Sequence, residues 1–162
     1  MKQIDNFLAP DDFKDFKDIV LSANFPWYLN HGVTYSNDGE IMFTHTIYKN
    51  DTFKSSFTLG GLDIFKEKLN IVSLVRAKIN LLPRTEKIVE HLPHVDITDA
   101  PQGIKTAILY VNTNNGYTKF KTGEKIESVE NRLITFDGKL QHFGTTNSCD
   151  APYRVVFNLN YF

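Results

Sequence analysis

Ile104-Lys-Thr-Ala-Ile-Leu-Tyr-Val-Asn-Thr-Asn-Asn-Gly-Tyr-Thr-Lys-Phe-Lys-Thr-Gly-Glu-Lys-Ile-Glu-Ser-Val-Glu-Asn-Arg-Leu-Ile-Thr-Phe136 reads as strand, turn, strand, turn, strand, strand. Its segments Ile104 to Thr113, Tyr117 to Lys121, Lys125 to Val129 and Arg132 to Phe136 are β-rich, and Asn-Asn-Gly and Thr-Gly punctuate them as turns. Working outward, Val72 to Leu82 upstream and Tyr153 to Tyr161 downstream have the same character, with Asp-Gly and Asp-Ala-Pro as further turn signals. Ile41 to Tyr48 adds another strand after a turn at Phe25-Pro26-Trp27-Tyr28.

Helical signals are confined to the N-terminal part. Pro10-Asp11-Asp12 followed by Phe13, Phe16, Ile19 and Val20 predicts one helix, and Leu62, Phe65 and Leu69 predict a second. Helices followed by many short antiparallel strands imply two sheets packed or rolled together. A jelly roll is one closed solution, although the pattern leaves the topology open. The expectation is one domain over residues 1–162, with a helical lead-in over about 1–70 and a β core over about 71–162.

Composition limits the partners. A formal charge of −1 and 41% hydrophobic residues leave no basic surplus for phosphates, which argues against a nucleic-acid partner. No apolar run approaches the roughly 18 residues of a membrane span, and the start lacks a signal-peptide core, so a cytoplasmic location without membrane partners is expected. The single Cys149 fits a reducing compartment. It lies in a polar Asn-Ser-Cys-Asp turn and reads as a passive thiol.

The chemistry concentrates in His94-Val95-Asp96, followed by His142 and then Arg154. By itself His-x-Asp is weak: five His and twelve Asp in 162 residues give about 0.4 by chance (5 × 12/162). On a strand, however, positions i and i+2 share a face, so His94 and Asp96 can reach one ion. Pro93 disfavours a helix there. Two imidazoles and a carboxylate form a facial triad that suits iron(II) and leaves coordination positions open. An Arg just beyond the last ligand would hold an anion. His31, His45 and His91 read as solvated or hydrogen-bonded structural histidines; Pro93 removes the helix that would bring His91 to His94. Trp27, Tyr28, Tyr35 and Tyr48, interleaved with Asn30, Asn37 and Asp38, read as core and loop or as a substrate-holding surface. Gly-x-Ser-x-Gly, Walker, His-Glu-x-x-His and paired-Cys motifs do not occur.

These residues carry a resemblance. Arg76-Ala-Lys-Ile-Asn80-Leu-Leu-Pro83, His94-Val-Asp96, Thr106-Ala-Ile-Leu-Tyr110-Val-Asn112, Asn115-Gly116-Tyr117-Thr118-Lys119-Phe120, Leu140-Gln-His142 and Arg154-Val-Val-Phe-Asn158-Leu-Asn160-Tyr161-Phe162 follow one another over about residues 70 to 162. In that order they resemble the iron(II)- and 2-oxoglutarate-dependent oxygenases, in the prolyl 4-hydroxylase-like branch that includes small virus-encoded members. Ile4-Asp5-Asn6-Phe7-Leu8 and the first helix resemble the lead-in of such proteins.

The resemblance implies a double-stranded β-helix, with Fe(II) on His94, Asp96 and His142. It also implies 2-oxoglutarate as cosubstrate, O2, and ascorbate as reductant. Arg154 matches the residue that holds the distal carboxylate of 2-oxoglutarate, and Tyr110 a tyrosine on the same carboxylate. Thr106 shares the face of Tyr110 and would line the pocket with it. Asn80 and Asn160 are further pocket candidates. The family often has an aromatic residue where Asn160 stands, and Leu82 replaces a tyrosine. The implied reaction is hydroxylation of a C–H bond in a prolyl or other peptidyl residue, an amino acid or a small molecule, with release of succinate and CO2. The alternatives are a catalytically silent metal-binding interaction module of the same fold, and a cupin-like metal oxygenase that does not use 2-oxoglutarate.

Overall fold

Pro10 at the first helical turn gives up no needed donor, and Asp11 and Asp12 sit at the positive end of the helix dipole, so α1 (Pro10–Val20) begins where the sequence predicts. The helix buries Phe13, Phe16 and Val20 along one stripe. The computed structural model describes residues 1–55 and 62–162. In it the helix is preceded by β1 (Lys2–Ile4) and followed by β2 (Tyr28–His31), β3 (Ile41–Lys49), β4 (Thr52–Phe53) and α2 (Leu62–Leu69). Then come β5 (Leu74–Pro83), β6 (Lys105–Tyr110), β7 (Tyr117–Phe120), β8 (Lys125–Glu127), β9 (Leu133–Asp137), β10 (His142–Gly144) and β11 (Tyr153–Tyr161).

The strands form two antiparallel sheets, as a jelly roll requires. The larger runs β1-β9-β6-β11-β5-β3-β2, with β4 paired to β3; the smaller runs β10-β7-β8. The N-terminal part is therefore more than a helical lead-in, because β1 to β4 all join the large sheet. Among the described residues no helix is long and apolar enough to cross a membrane.

Strand alternation sorts β11 into two jobs. Val155, Phe157, Leu159 and Tyr161 point to the helices, where Phe157 packs 5.5 Å from the Phe16 ring and 5.1 Å from Phe65. Arg154, Val156, Asn158 and Asn160 occupy the opposite face, toward the small sheet. On β5, likewise, Ala77 and Ile79 belong to the helix-side core while Lys78, Asn80 and Leu82 line a cleft. Between the sheets a second core gathers Ile108, Tyr110, Phe120, Ile126, Ile134, Phe136 and Val156, with Phe120 and Phe136 edge-to-face at 4.9 Å. The cleft that holds the candidate ligands opens beside this core: Ile108 and Val156 form part of its wall, and Phe136 packs 4.9 Å from the His142 ring.

Candidate active site

His94 does not lie in a regular strand, as its spacing from Asp96 predicts, but in a single antiparallel bridge to His142. The two residues exchange both backbone hydrogen bonds, at 2.9 and 3.0 Å. Residues 89–94 thus run beside β10 as a broken extra strand of the small sheet. Pro93 has no N–H to continue the ladder. Between the Glu90–Thr145 and His94–His142 bridges the register slips by one residue, which is a bulge at 91–93. One extra residue reverses the alternation, so His91 and His94 both reach the cleft while Leu92 is exposed. No helix is needed to bring the two histidines together. His91 also departs from its structural reading: it is 7% exposed, and neither ring nitrogen has a partner among the described residues. Burial, and secondarily the Arg154 charge, press its pKa down to about 4, so the ring is neutral.

The ligand atoms of His94, Asp96 and His142 all lie within 4.8 Å of one another. Each histidine directs Nδ1 at the backbone carbonyl two residues back: His94 at Leu92 (3.3 Å) and His142 at Leu140 (3.2 Å). An Nδ1–H donated to a carbonyl leaves the Nε2 lone pair free, the tautomer a metal ligand needs. Burial also favours the neutral ring of His142.

Asp96 is held from two sides. Arg76 lies 2.7 Å from one carboxylate oxygen, and the Asn160 side-chain amide donates to the other at 3.0 Å. Asn160 also donates to the Thr106 hydroxyl (2.9 Å) and accepts from Arg76 Nε (2.9 Å). Burial works to raise the Asp96 pKa, but Arg76, His142 and the Asn160 amide hold it well below the ordinary carboxylate range. The carboxylate is anionic, and each oxygen keeps a lone pair for an ion. This donor set fits a divalent cation of the iron type, with three protein ligands and outer partners that orient each one. Asn160 bridges Asp96 and the Thr106 hydroxyl, and neither Asn160 nor Thr106 is among the residues that line the cleft.

Arg154 stands at the far end of the cleft, 2% exposed. Its Nε donates to Ser128 Oγ (2.8 Å), Nη2 donates to Thr118 Oγ1 (3.1 Å), and the guanidinium sits 5.5 Å from the Tyr110 ring centre. None of the ion pairs among the described residues includes it. The Tyr110 hydroxyl is buried beside Arg154 and Thr118, without a well-formed hydrogen bond among the described residues. Gly116 makes the approach possible: a Cβ there would lie 2.7 Å from Arg154 Cδ and 2.7 Å from the Thr146 carbonyl oxygen. Its place in a turn signal is thus secondary to close packing. The cleft encloses about 550 Å³ of atom-free space, mouth included. Its lining includes His91, His94, Asp96, His142, Arg154, Asn80 and Lys78.

Arg76, Lys78 and Thr118 lie within the stretches that carry the resemblance but have no role assigned from sequence, and neither has Ser128. Arg76, Lys78 and Asn80 alternate along an otherwise apolar strand, and three polar residues on one face of an interior strand are a usable signal. The other residues singled out are structural in their placement. His45 bonds the Pro26 carbonyl and Ser55 Oγ, both at 2.7 Å, and His31 is exposed. Cys149 lies in a turn clasped by Asn115 Oδ1, which accepts from the N–H groups of Ser148 (2.9 Å) and Cys149 (3.2 Å). Trp27 and Tyr48 pack on the core, whereas Tyr28 and Tyr35 are exposed. Asp38 ties down the loop beyond β2 by accepting from the N–H groups of Val33, Thr34, Tyr35 and Glu40. Val33 in that loop forms part of the cleft wall.

Neither a protein-family model nor a curated protein sequence matches the chain. Solved structures do. A prolyl hydroxylase from Trichoplax adhaerens, in complex with a hypoxia inducible factor oxygen degradation domain peptide fragment, is similar with a TM-score of 0.71 at 13% identity, over 99% of this chain and 82% of that one. A Pseudomonas putida prolyl-4-hydroxylase is similar with a TM-score of 0.65 at 15% identity, over 99% and 91% of the two chains. The viral collagen prolyl hydroxylase of Paramecium Bursaria Chlorella virus-1 is similar with a TM-score of 0.55 at 15% identity, over 98% and 88%. The chain thus has the fold of the 2-oxoglutarate- and iron(II)-dependent oxygenases, prolyl hydroxylases among them.

Proposed function

We propose that this chain is an Fe(II)- and 2-oxoglutarate-dependent dioxygenase that hydroxylates a C–H bond, of the prolyl or another peptidyl residue, an amino acid or a small molecule. The observation that carries this reading is the pairing of two sites across one cleft. Two tautomer-fixed histidines and an anionic Asp96 lie at one end, and a buried arginine without a carboxylate partner lies at the other. His94, Asp96 and His142 would hold the iron, and Arg154 the distal carboxylate of the cosubstrate. With both bound, the centre supplies the oxidation R–H + O2 + 2-oxoglutarate → R–OH + succinate + CO2.

The chain's own part is binding and orientation. Arg154 offers a planar pair of donors to a carboxylate, already aligned by Ser128 and Thr118. The Tyr110 hydroxyl lies beside Arg154 and can donate to the same anion. Asn160 and Arg76 keep Asp96 in one orientation and unprotonated. Ile108, Val156 and Leu82 line the cleft with apolar surface, which limits water around the reacting atoms.

The test is succinate formation by purified protein given Fe(II), ascorbate and 2-oxoglutarate under air. The wild type forms succinate, slowly without prime substrate, and His94→Ala does not. Calorimetry with Mn(II) in place of iron reports binding alone: 2-oxoglutarate binds the Mn(II) protein, and Arg154→Ala removes that binding. Equal succinate formation by wild type and His94→Ala, or no 2-oxoglutarate affinity, overturns the assignment. The second of those results would match a metal-binding module.

A further inference from the structure

The cleft holds a second cation that the oxygenase reading leaves without work. Lys78 on β5 lines the cleft, half-buried, and makes no hydrogen bond or ion pair with any described residue. Of the ionised side chains around it, Asp96 already has Arg76. Burial, then the Arg76 charge, lower the Lys78 pKa to about 8, which leaves the amine mostly protonated at pH 7. A partly desolvated ammonium without a partner is a cost to the fold unless an anion arrives.

The strand register locates that anion. Lys78 lies opposite Asn158, and the next pair on the same face is Arg76 with Asn160, whose side chains hold Asp96. Same-face neighbours along a strand are about 7 Å apart, so Lys78 stands one such step from the metal-ligand cradle. Arg154 is opposite Leu82, two same-face steps from Lys78 in the other direction, roughly 13 Å along the strand. Lys78 and Arg154 thus leave the large sheet at well-separated points, with Lys78 on the side of the metal ligands. Beside Lys78, the side-chain oxygens of Asn80 and Asn158 are buried without hydrogen-bond partners among the described residues, ready to accept from an N–H or O–H.

We propose that Lys78 anchors a carboxylate of the prime substrate, with Asn80 and Asn158 receiving a neighbouring N–H or O–H, so that the oxidised carbon lies within a few bonds of that carboxylate. This rests on the dioxygenase reading above and narrows its substrate to amino, hydroxy or related acids, or to an acidic group at the reacting residue of a peptide.

The experiment uses full-length protein loaded with Mn(II) and 2-oxoglutarate without oxygen, and reads binding by ligand-observed NMR. One pool contains free L-amino acids together with short mono- and dicarboxylic acids. The second contains N-acetyl amino-acid amides, in which only the Asp and Glu derivatives carry a carboxylate. Binding from the first pool identifies a free acid, and binding of only the Asp or Glu derivatives in the second identifies a peptide side chain. Lys78→Met weakens the bound acid at least tenfold, as expected for loss of a charged hydrogen bond, while Lys78→Arg retains it within about fivefold. The proposal fails if wild type binds no carboxylate from either pool, if Lys78→Met binds the acid as wild type does, or if Lys78→Met weakens 2-oxoglutarate itself tenfold. Failure of wild type to bind 2-oxoglutarate sinks the dioxygenase reading instead, so the two failures are distinguishable.

Discussion

Replacing Arg154 by methionine should weaken the cosubstrate and strengthen the empty fold. The guanidinium is 2% exposed and is compensated by two hydroxyl acceptors and the face of Tyr110, none of them an anion. Burial lowers its pKa, which expresses the same cost. An ion held this way costs several kcal/mol of desolvation, and its two hydroxyl acceptors return the low end of a charged hydrogen bond, about 1.5 kcal/mol each, so the charge is a net load on the apo protein. Methionine has a similar length and no charge. A gain of about 1–2 kcal/mol follows, or roughly 2–8 °C in melting temperature for a chain of this size. Binding moves the other way. Two charged hydrogen bonds to a carboxylate are worth about 3–5 kcal/mol together, so 2-oxoglutarate affinity falls on the order of 10²- to 10⁴-fold. Ligand at 100 times its Kd stabilises by about 2.7 kcal/mol, so the order of stabilities should invert on adding Mn(II) and 2-oxoglutarate. Differential scanning fluorimetry with and without both ligands, beside calorimetry, reads every part of this. If Arg154→Met melts lower than wild type in both states and binds 2-oxoglutarate equally, Arg154 is a structural residue and the argument from its isolation is wrong.

Gly116→Ala places a methyl 2.7 Å from Arg154 Cδ, so it should lower both the melting temperature and 2-oxoglutarate affinity, with Mn(II) affinity measured by calorimetry kept near wild type. Asn160→Leu removes the amide that joins Asp96 to Thr106 and Arg76 and should cost about 10- to 100-fold in Mn(II) affinity, read by electron paramagnetic resonance titration. His91 supplies a pH signature. Its folded pKa, about 4, lies below the ordinary histidine value of 6.5, so between those values the unfolded chain binds the extra proton and stability drops as pH falls. Urea unfolding at several pH values should show His91→Leu losing a slope of about 1.4 kcal/mol per pH unit across that window relative to wild type. Parallel slopes for the two proteins would place the ring in contact with water.

Much of this molecule can be read along the chain because its strands follow the alternation rule over long stretches. Tyr153–Tyr161 appears as β11 with the predicted bounds, and its alternation alone puts Arg154 on the face opposite Phe157. The first helix is legible from Pro10 and its acidic neighbours for an equally local reason. What stays hidden is whatever depends on a break in alternation. The bulge at 91–93 brings His91 into the cleft, and no strand period would have put it there beside His94. Long-range pairing hides the rest: Arg76 and Asn160 are 84 residues apart and meet over Asp96 only because β5 and β11 are neighbours in that register.

His94 and His142 are each placed by backbone bonds to the other, so the position of both ligands depends on one bridge and on the small sheet that carries it. Asp96 lies beyond the bridge in irregular chain, where no ladder fixes its backbone. Its side chain must then be positioned from the large sheet, through Arg76 on β5 and Asn160 on β11. The three ligands meet only if the two sheets keep their spacing. The residues that set that spacing are the inter-sheet core around Phe120 and Phe136 and the hydrogen bonds from Arg154 to Thr118 and Ser128. An anion that tightens Arg154 against the small sheet would therefore also steady the ligands at the other end of the cleft. Metal and 2-oxoglutarate should bind with positive coupling on that account, in addition to any bond between them.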